Sequence, residues 1–560
     1  MQKIFRVMII IAMLITAYLL ILAWRDDYAD VPAVDTVPET ITSVGADIPS
    51  TTGAAGDIPV QTMPVDASGV TDAPVTDAGL ITVTTDRYDI KINPEGGDIV
   101  YAALKQYDAT LDSDKPFVLL ENNNNRVYVA QSGLIGQDGI DTAEGRAVYS
   151  HTANNYVMEA GQQTLSVPLT YKKDGVTITK TFTFTQDKYP IDISYQIQNA
   201  SNNAWQGQMF AQLKRDDSKD PGMSDKGALS MATYLGGAWG TPDDPYNKLK
   251  FGKFNDGELT TTSDKGWVGI VQHYFVSAWT PDNFTGKFFS RETGNDYFIG
   301  FNSQPVNVAP NKQVTLNATL YAGPKVQSEL KEVAVGLNQT VDYGLLWPIS
   351  KILFAILDGI HKVIGNWGWS IIVLTILVKI ALMWFSNKSY YSMAKMRAIA
   401  PRLQALKEEY GDDRMKMSQE MMAIYKEEKV NPMAGCLPIL LQMPIFLALY
   451  WVLVESVELR HAPWILWIQD LSAMDPWFIL PLLMGASMFV QQQLNPQPAD
   501  PMQAKVMKFL PIIFTAFMLF FPAGLVLYWT VNNLFSMTQQ YIVNRKVEEE
   551  QKRRTAKVVD

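Results

Sequence analysis

One cysteine, Cys436, is all the chain contains, so no disulfide can close within it. Histidine is almost as scarce. His151, His273, His361 and His461 are scattered, and none shows metal-ligand spacing. There is no GxxxxGKS or GxxxxGKT phosphate loop and no GxSxG nucleophile elbow, so nucleotide-driven work and that kind of hydrolysis have no anchor here. No cofactor is expected. A formal charge of −10 argues against bulk nucleic-acid binding. Between Asp26 and Asp86 there is neither lysine nor arginine, and Tyr28 is the only aromatic residue. Pro, Thr, Val, Ala and Asp dominate that stretch, which buries too little apolar surface to offset its ordering entropy. Residues 25–80 therefore read as a disordered acidic linker.

What the chain does have is apolar length. Residues 7–24, VMIIIAMLITAYLLILAW, are uncharged. They span roughly 27 Å as a helix, about one hydrocarbon core. Lys3 and Arg6 precede the run, and Asp26, Asp27 and Asp30 follow it, which places the N-terminus in the cytoplasm. The run is long for a signal peptide, and no small-x-small cleavage site stands close behind it, so 1–24 is expected to be an uncleaved anchor. Four more apolar stretches follow at 367–385, 436–454, 476–494 and 509–544. The last holds 36 uncharged residues, too many for one span of about 20, and contains the turn signal FFPAG at 520–524. Read as two spans, it brings the total to six. Lysine and arginine number nine in 387–430, six in 544–560 and one, Arg460, in 455–475. Both termini are then cytoplasmic, and residues 25 to about 365 lie across the membrane.

That outer portion alternates polar and apolar residues in ITVTTDRYDIKI (81–92), VTITKTFTFT (176–185), IDISYQIQ (191–198) and QVTLNATLYA (313–322). The period is that of strands, and the segment 81–335 is expected to be one large β-sandwich. His151 and His273 are isolated and are read as structural. LLWPISKILFAILDGIHKVIG (345–365), within the segment 336–366, has helical apolar spacing with Ser350, Asp358 and Lys362 off that face. It is expected to lie in the membrane interface, with packing against the sandwich as the plainer alternative. In the cytoplasm, 389–430 is expected to form a helical hairpin. Its first helix, 393–410, carries Met396 and Leu403, GDD (411–413) breaks it, and its second, 414–429, carries Met417 and Met421. These methionines serve as core filler or as an adaptable apolar surface.

The apolar runs of 367–545 hold polar residues but no carboxylate. Lys379 sits in the first, at a cost of roughly 2.5–3.5 kcal/mol on insertion scales. Thr375 shares its helix face. Gln442 lies in the next run. Asn532, Asn533, Ser536, Thr538, Gln539 and Gln540 load the last. Routine interhelical hydrogen bonding explains Gln442 but not an unpaired Lys379. The expected fold is a polytopic α-helical membrane protein of six spans with a large periplasmic β-sandwich and a cytoplasmic helical hairpin, closed by a basic tail at 546–560.

The segments NWGWSII (366–372), YYSMAKMRAIAPRLQALKEEYGDD (390–413), SQEMMAIYKEEKVNPMAGCLPILLQMPIFLALY (418–450), SVELRHAPWILWIQDLSAMDP (456–476) and FPAGLVLYW (521–529) resemble the YidC/Oxa/Alb family of membrane protein insertases, in its Gram-negative form. The likeness is strong over about 340–545. It implies a galactose-mutarotase-like periplasmic sandwich without sugar chemistry, and no enzyme activity. It implies a hydrophilic groove open to cytoplasm and lipid, with a positive residue at the position of Lys379. Family members commonly have arginine there; lysine keeps the charge but lacks the bidentate fork. The implied groove lining is Thr375, Gln442, Asn532 and Ser536. Implied contacts for a substrate helix are Phe446, Met484, Phe517, Tyr528 and Trp529. The resemblance also implies nascent transmembrane segments as clients, the bilayer, the Sec translocase with SecD and SecF, and the ribosome or signal-recognition machinery as partners, and the bacterial inner membrane as location. A secondary transporter using an intramembrane lysine is the alternative, although paired broken helices in matching halves are not seen.

Overall fold

The computed structural model describes residues 79–560 apart from 112, 222–232, 258, 411–412, 429, 431–436, 496–500 and 560. The expected anchor, 1–24, and all but the last two residues of the expected linker lie outside the described residues. The chain divides into units 1–50 and 51–560, and everything described belongs to the second.

Among the described residues, twenty strands form an eleven-stranded and a nine-stranded sheet. Alternation creates the core between them. Strand Val176–Thr185 turns Ile178, Phe182 and Phe184 inward, and its antiparallel neighbour Pro190–Asn199 turns in Ile191, Ile193, Tyr195 and Ile197. Burying each such large side chain contributes about 1.5–3 kcal/mol. The stretch 81–92, expected as one strand, is two, Ile81–Thr84 and Tyr88–Asn93. Thr85 causes the reversal. Its Oγ1 accepts from the amides of Arg87 at 3.1 Å and Tyr88 at 3.0 Å, a turn that competes with extended backbone.

Lys180 occupies an inward position on that same strand and is fully buried. Its Nζ donates to the carbonyls of Gly97 at 2.7 Å, Gly96 at 3.1 Å and Ser132 at 3.1 Å. Beside it, Arg146 pairs with Asp98 and Asp141, both at 2.8 Å. Burial pulls the Lys180 ammonium down to about 7, against the opposing pull of Asp98. At Gly97, where φ is +63, a Cβ would lie 3.0 Å from the Lys180 side chain, a tight contact on a backbone conformation that favours glycine.

The helices follow the sandwich. They are α1 (Gln327–Val333), α2 (Trp347–Ile364), α3 (Trp367–Ala381), α4 (Met383–Ala398), α5 (Ala400–Glu409), α6 (Arg414–Glu427), α7 (Leu437–Glu455), α8 (Ile479–Gln493), α9 (Pro501–Met518) and α10 (Ala523–Val559). Two expected helices are broken. The run 367–385 breaks after Ala381, inside its apolar stretch, and α4 leaves α3 at a 68° bend. The run 393–410 breaks at Ile399 because Pro401, in the first turn of α5, has no amide to continue a helix from α4. The FFPAG turn falls where expected, between α9 and α10.

By length and composition, Gly344–Ile364 is the one described helix able to cross a membrane unaided, and α3 with α4 qualifies as a bent pair. The same segment was expected to lie in the interface. It buries Ser350, Leu353 and Leu357 against its neighbours and exposes Ile352, Ile356 and Val363. Ser350 Oγ donates to the Ala448 carbonyl of α7 at 3.0 Å.

The sandwich and the helices meet through buried polar contacts. Lys325, just past the last strand, pairs with Glu455 at 3.0 Å and donates to the Thr340 carbonyl at 3.1 Å. His273 Nε2 donates to the Val454 carbonyl at 2.7 Å. Arg460 donates to the carbonyls of Asp108 at 2.7 Å and Ala109 at 3.1 Å. Nearby, burial pushes the Glu458 carboxyl up to about 7.

Candidate functional site

The polar residues of α10 fall on one stripe. Asn532, Asn533, Ser536, Gln539 and Gln540 recur at i, i+1, i+4, i+7 and i+8, one face of a 3.6-residue helix, and all are buried. Leu534, Tyr541 and Ile542 on the same helix are exposed. This is the reverse of a water-soluble helix. It is the arrangement favoured where the surroundings are lipid and polar groups must find one another.

The stripe faces Lys379. Its Nζ donates to Ser536 Oγ at 2.7 Å, and Ser536 Oγ donates to the Asn532 carbonyl at 2.8 Å. Lys379 is only 4 % exposed and makes no ion pair among the described residues. One helix turn away, Thr375 is fully buried, and its hydroxyl donates to the Ile371 carbonyl at 2.7 Å. It therefore lies beside the lysine without bonding to it. Gln442 of α7 donates instead to the Tyr528 hydroxyl. Among the described residues, Asn532 Oδ1 is buried without a hydrogen-bond partner.

Further along the stripe, Asn533 donates to Ser487 of α8 at 3.0 Å. Gln539 donates to Asn387 of α4 at 2.8 Å, and Gln540 to Asn495 at 2.9 Å. Ser487 and Asn387 were not singled out from the sequence. Ser487 is a lone small polar residue in an apolar run and Asn387 one of several polar residues in a row, and the partner of each is distant in the chain, so no local signal marks either.

The five residues named as helix contacts separate into three settings. Phe446 meets Trp529 edge-on at 4.8 Å, and Trp529 meets Phe514 at 4.7 Å. Phe517 stands 4.7 Å from Phe521 and remains exposed. An aromatic path thus joins α7, α9 and α10, with Phe514 as a member that sequence reasoning missed. Tyr528 is buried with Gln442. Met484 is fully buried in α8, where its carbonyl accepts from Ser487 at 2.6 Å.

The helices α5 and α6 run antiparallel, tied by Arg402 to Glu427 at 3.0 Å and to Glu428 at 3.6 Å. Leu403, Met417 and Met421 are half-buried between them, as is Met396 on α4, while Ile424 is buried. All three side chains are exposed, so the pairs add little stability.

Residues 80–356 match the family described as the YidC periplasmic domain, and residues 359–551 match the family described as 60Kd inner membrane protein. The membrane protein insertase YidC of Stutzerimonas stutzeri is 50% identical over 551 residues, covering 97% of this chain and 98% of that protein. A solved structure of an active YidC insertase, 18% identical, covers 83% of this chain and 92% of its own, with a TM-score of 0.37. A galactose mutarotase-related enzyme from Lactobacillus acidophilus, 8% identical, covers 43% of this chain and 97% of its own, with a TM-score of 0.28.

Proposed function

The chain belongs to the YidC family of membrane protein insertases, and from that premise we propose that the Lys379 stripe is the route by which it inserts its clients. It is an insertase of the inner membrane and not an enzyme; its clients are membrane proteins and its medium is the bilayer. The transporter alternative has no support among its relatives.

The observation that carries the proposed route is the pairing of Lys379 with a buried polar stripe on α10, inside helices whose outward surface is apolar. A client's polar tail must cross an apolar layer. Polar groups that can exchange their mutual bonds for bonds to the tail shorten the apolar distance. Lys379, held among the described residues by a neutral hydroxyl, has no counter-charge there and can attract an acidic tail. Thr375, Gln442, Asn532 and Ser536 offer further donors and acceptors. The client's apolar helix then leaves along the aromatic path of Phe446, Trp529 and Phe517, with Met484 and Tyr528 behind it. Partitioning drives the step, since Leu, Ile, Phe and Val each favour insertion by about 0.3–0.6 kcal/mol. Membrane potential adds roughly 2.3 kcal/mol per charge per 100 mV for an acidic tail moved outward.

The finer topology belongs to the same proposal: an anchor at 1–24, five spans in 367–545, both termini cytoplasmic and the sandwich periplasmic. In it, α2 lies in the interface, and α5 with α6 forms a cytoplasmic hairpin that receives nascent chains from the ribosome or signal-recognition machinery. The sandwich docks the Sec translocase through SecD and SecF. Purified protein in liposomes should insert a single-span client without nucleotide or other proteins. A client that stays protease-accessible on both flanks under those conditions would remove the proposal.

A further inference from the structure

The connection between α7 and α8 holds large apolar groups outward. Leu466 is 74 % exposed and Trp477 is 64 % exposed. The ring of Trp467 stacks on that of Trp477, with centroids 5.8 Å apart and planes at 14°. Leu466, Trp467, Gln469 and Trp477 line an open concavity of about 650 Å³.

The backbone is built to present these groups. Leu466 and Phe478 take φ of +55 and +56, a left-handed conformation that costs a residue with a Cβ roughly 1–2 kcal/mol. Side chains hold the arrangement. Gln469 Nε2 donates to the Leu466 carbonyl at 2.7 Å. The buried Asp475 carboxylate accepts from Trp467 Nε1 at 3.0 Å, from the Trp477 amide at 3.0 Å and from the Leu480 amide at 2.7 Å. One carboxylate thus fixes both tryptophans and the start of α8.

Two observations identify what covers the concavity. The adjoining helix ends also expose large apolar groups: Trp369 of α3, whose ring meets that of Trp464 in the same connection at 5.9 Å, and Leu482 and Leu483 of α8. Between His461 and Phe478 there is no lysine or arginine, only Asp470 and Asp475. Arg460, just before this stretch, is engaged with the carbonyls of Asp108 and Ala109, so the stretch itself offers no cation to a phosphate headgroup, whereas acyl chains need none. Tryptophan is enriched at the edge of a bilayer, where an outward loop first meets lipid.

Resting on the topology proposed above, we propose that residues 464–478 dip into the outer leaflet, with Leu466, Trp467 and Trp477 among the acyl chains of its phospholipids. The element sets the depth of the α7–α8 connection in the bilayer.

The test uses full-length protein carrying Cys436→Ser, in liposomes of phosphatidylethanolamine and phosphatidylglycerol with no other protein. A nitroxide is attached at Leu466→Cys, and in a second variant at Trp477→Cys. Controls carry it at Ile513→Cys on the exposed apolar side of α9 and at Lys173→Cys on the sandwich surface. Collision with oxygen and with a water-soluble nickel chelate is measured. The labels at 466 and 477 are expected to match that at 513, favouring oxygen, and to differ severalfold from that at 173. Nickel access at 466 and 477 with oxygen access at 513 overturns the lipid site and leaves the topology standing. Nickel access at 513 overturns the topology and the lipid site together. Labels at 466 and 477 open to nickel in liposomes but shielded in native membranes would mean a protein covers the loop, which also overturns the proposal.

Discussion

Removing the carboxylate of Glu455 should destabilise the junction between sandwich and helices far more than a surface mutation would. Lys325 and Glu455 are 2% and 5% exposed at their side chains, and among the described residues their 3.0 Å contact is backed by one further acceptor for the ammonium, the Thr340 carbonyl. Glu455→Ala leaves a buried ammonium without its counter-charge. Breaking such a pair from one side costs about 3–5 kcal/mol, whereas an exposed pair is worth roughly 0–1 kcal/mol. Replacing both partners together, Lys325→Met with Glu455→Leu, removes both desolvation costs, and the double variant should lie much closer to the native protein than either single one. A double-mutant cycle by equilibrium unfolding in detergent micelles, followed through near-ultraviolet circular dichroism, measures the coupling directly. Additive effects, with each single variant costing less than about 1 kcal/mol, would refute the reasoning and leave the sandwich loosely attached.

Gly368→Ala should impair folding of the helical region, because a Cβ there would lie 2.2 Å from the Trp464 ring, which Asn366 holds through the Trp464 carbonyl; thermal unfolding of the purified variant reads the loss. Lys180, whose folded value of about 7 lies below its ordinary 10.5, binds its proton less readily in the fold, so its contribution to stability should grow as pH rises from 7 towards 10.5 and be smallest below 7; Lys180→Met should flatten that slope in a pH series of unfolding curves. A photo-reactive probe at Met417 or Met421 should capture a ribosome-bound client during insertion, and silence at every hairpin position would count against its proposed role.

The strands were legible wherever alternation was unbroken, as in Val176–Thr185. Even Lys180 carried a signal, since it shares the phase of Ile178, Phe182 and Phe184 and therefore had to point inward. The division of 81–92 was harder to see because Thr85 fits a strand until its hydroxyl bonds to the amides that follow. Pro401 marked the break before α5, although the apolar spacing of 393–410 ran through it. The stripe on α10 was readable from spacing alone. Its partners were not: Lys379 and Ser536 are 157 residues apart, and nothing local links them. The same holds for the junction, where Lys325 and Glu455 are separated by 130 positions. Phe514 was passed over because an aromatic residue in an apolar run is ordinary core until its neighbours are known.

The central claim is that Lys379 receives the polar tail of a client. The most direct measurement compares insertion of two single-span clients, identical except for an acidic or a neutral tail, into liposomes bearing the native protein, Lys379→Arg or Lys379→Glu. Lys379→Arg should support both clients. Lys379→Glu should slow the acidic-tailed client far more than the neutral one. Equal rates for both clients in the Lys379→Glu variant would contradict the claim and reduce Lys379 to a residue that ties α3 to α10.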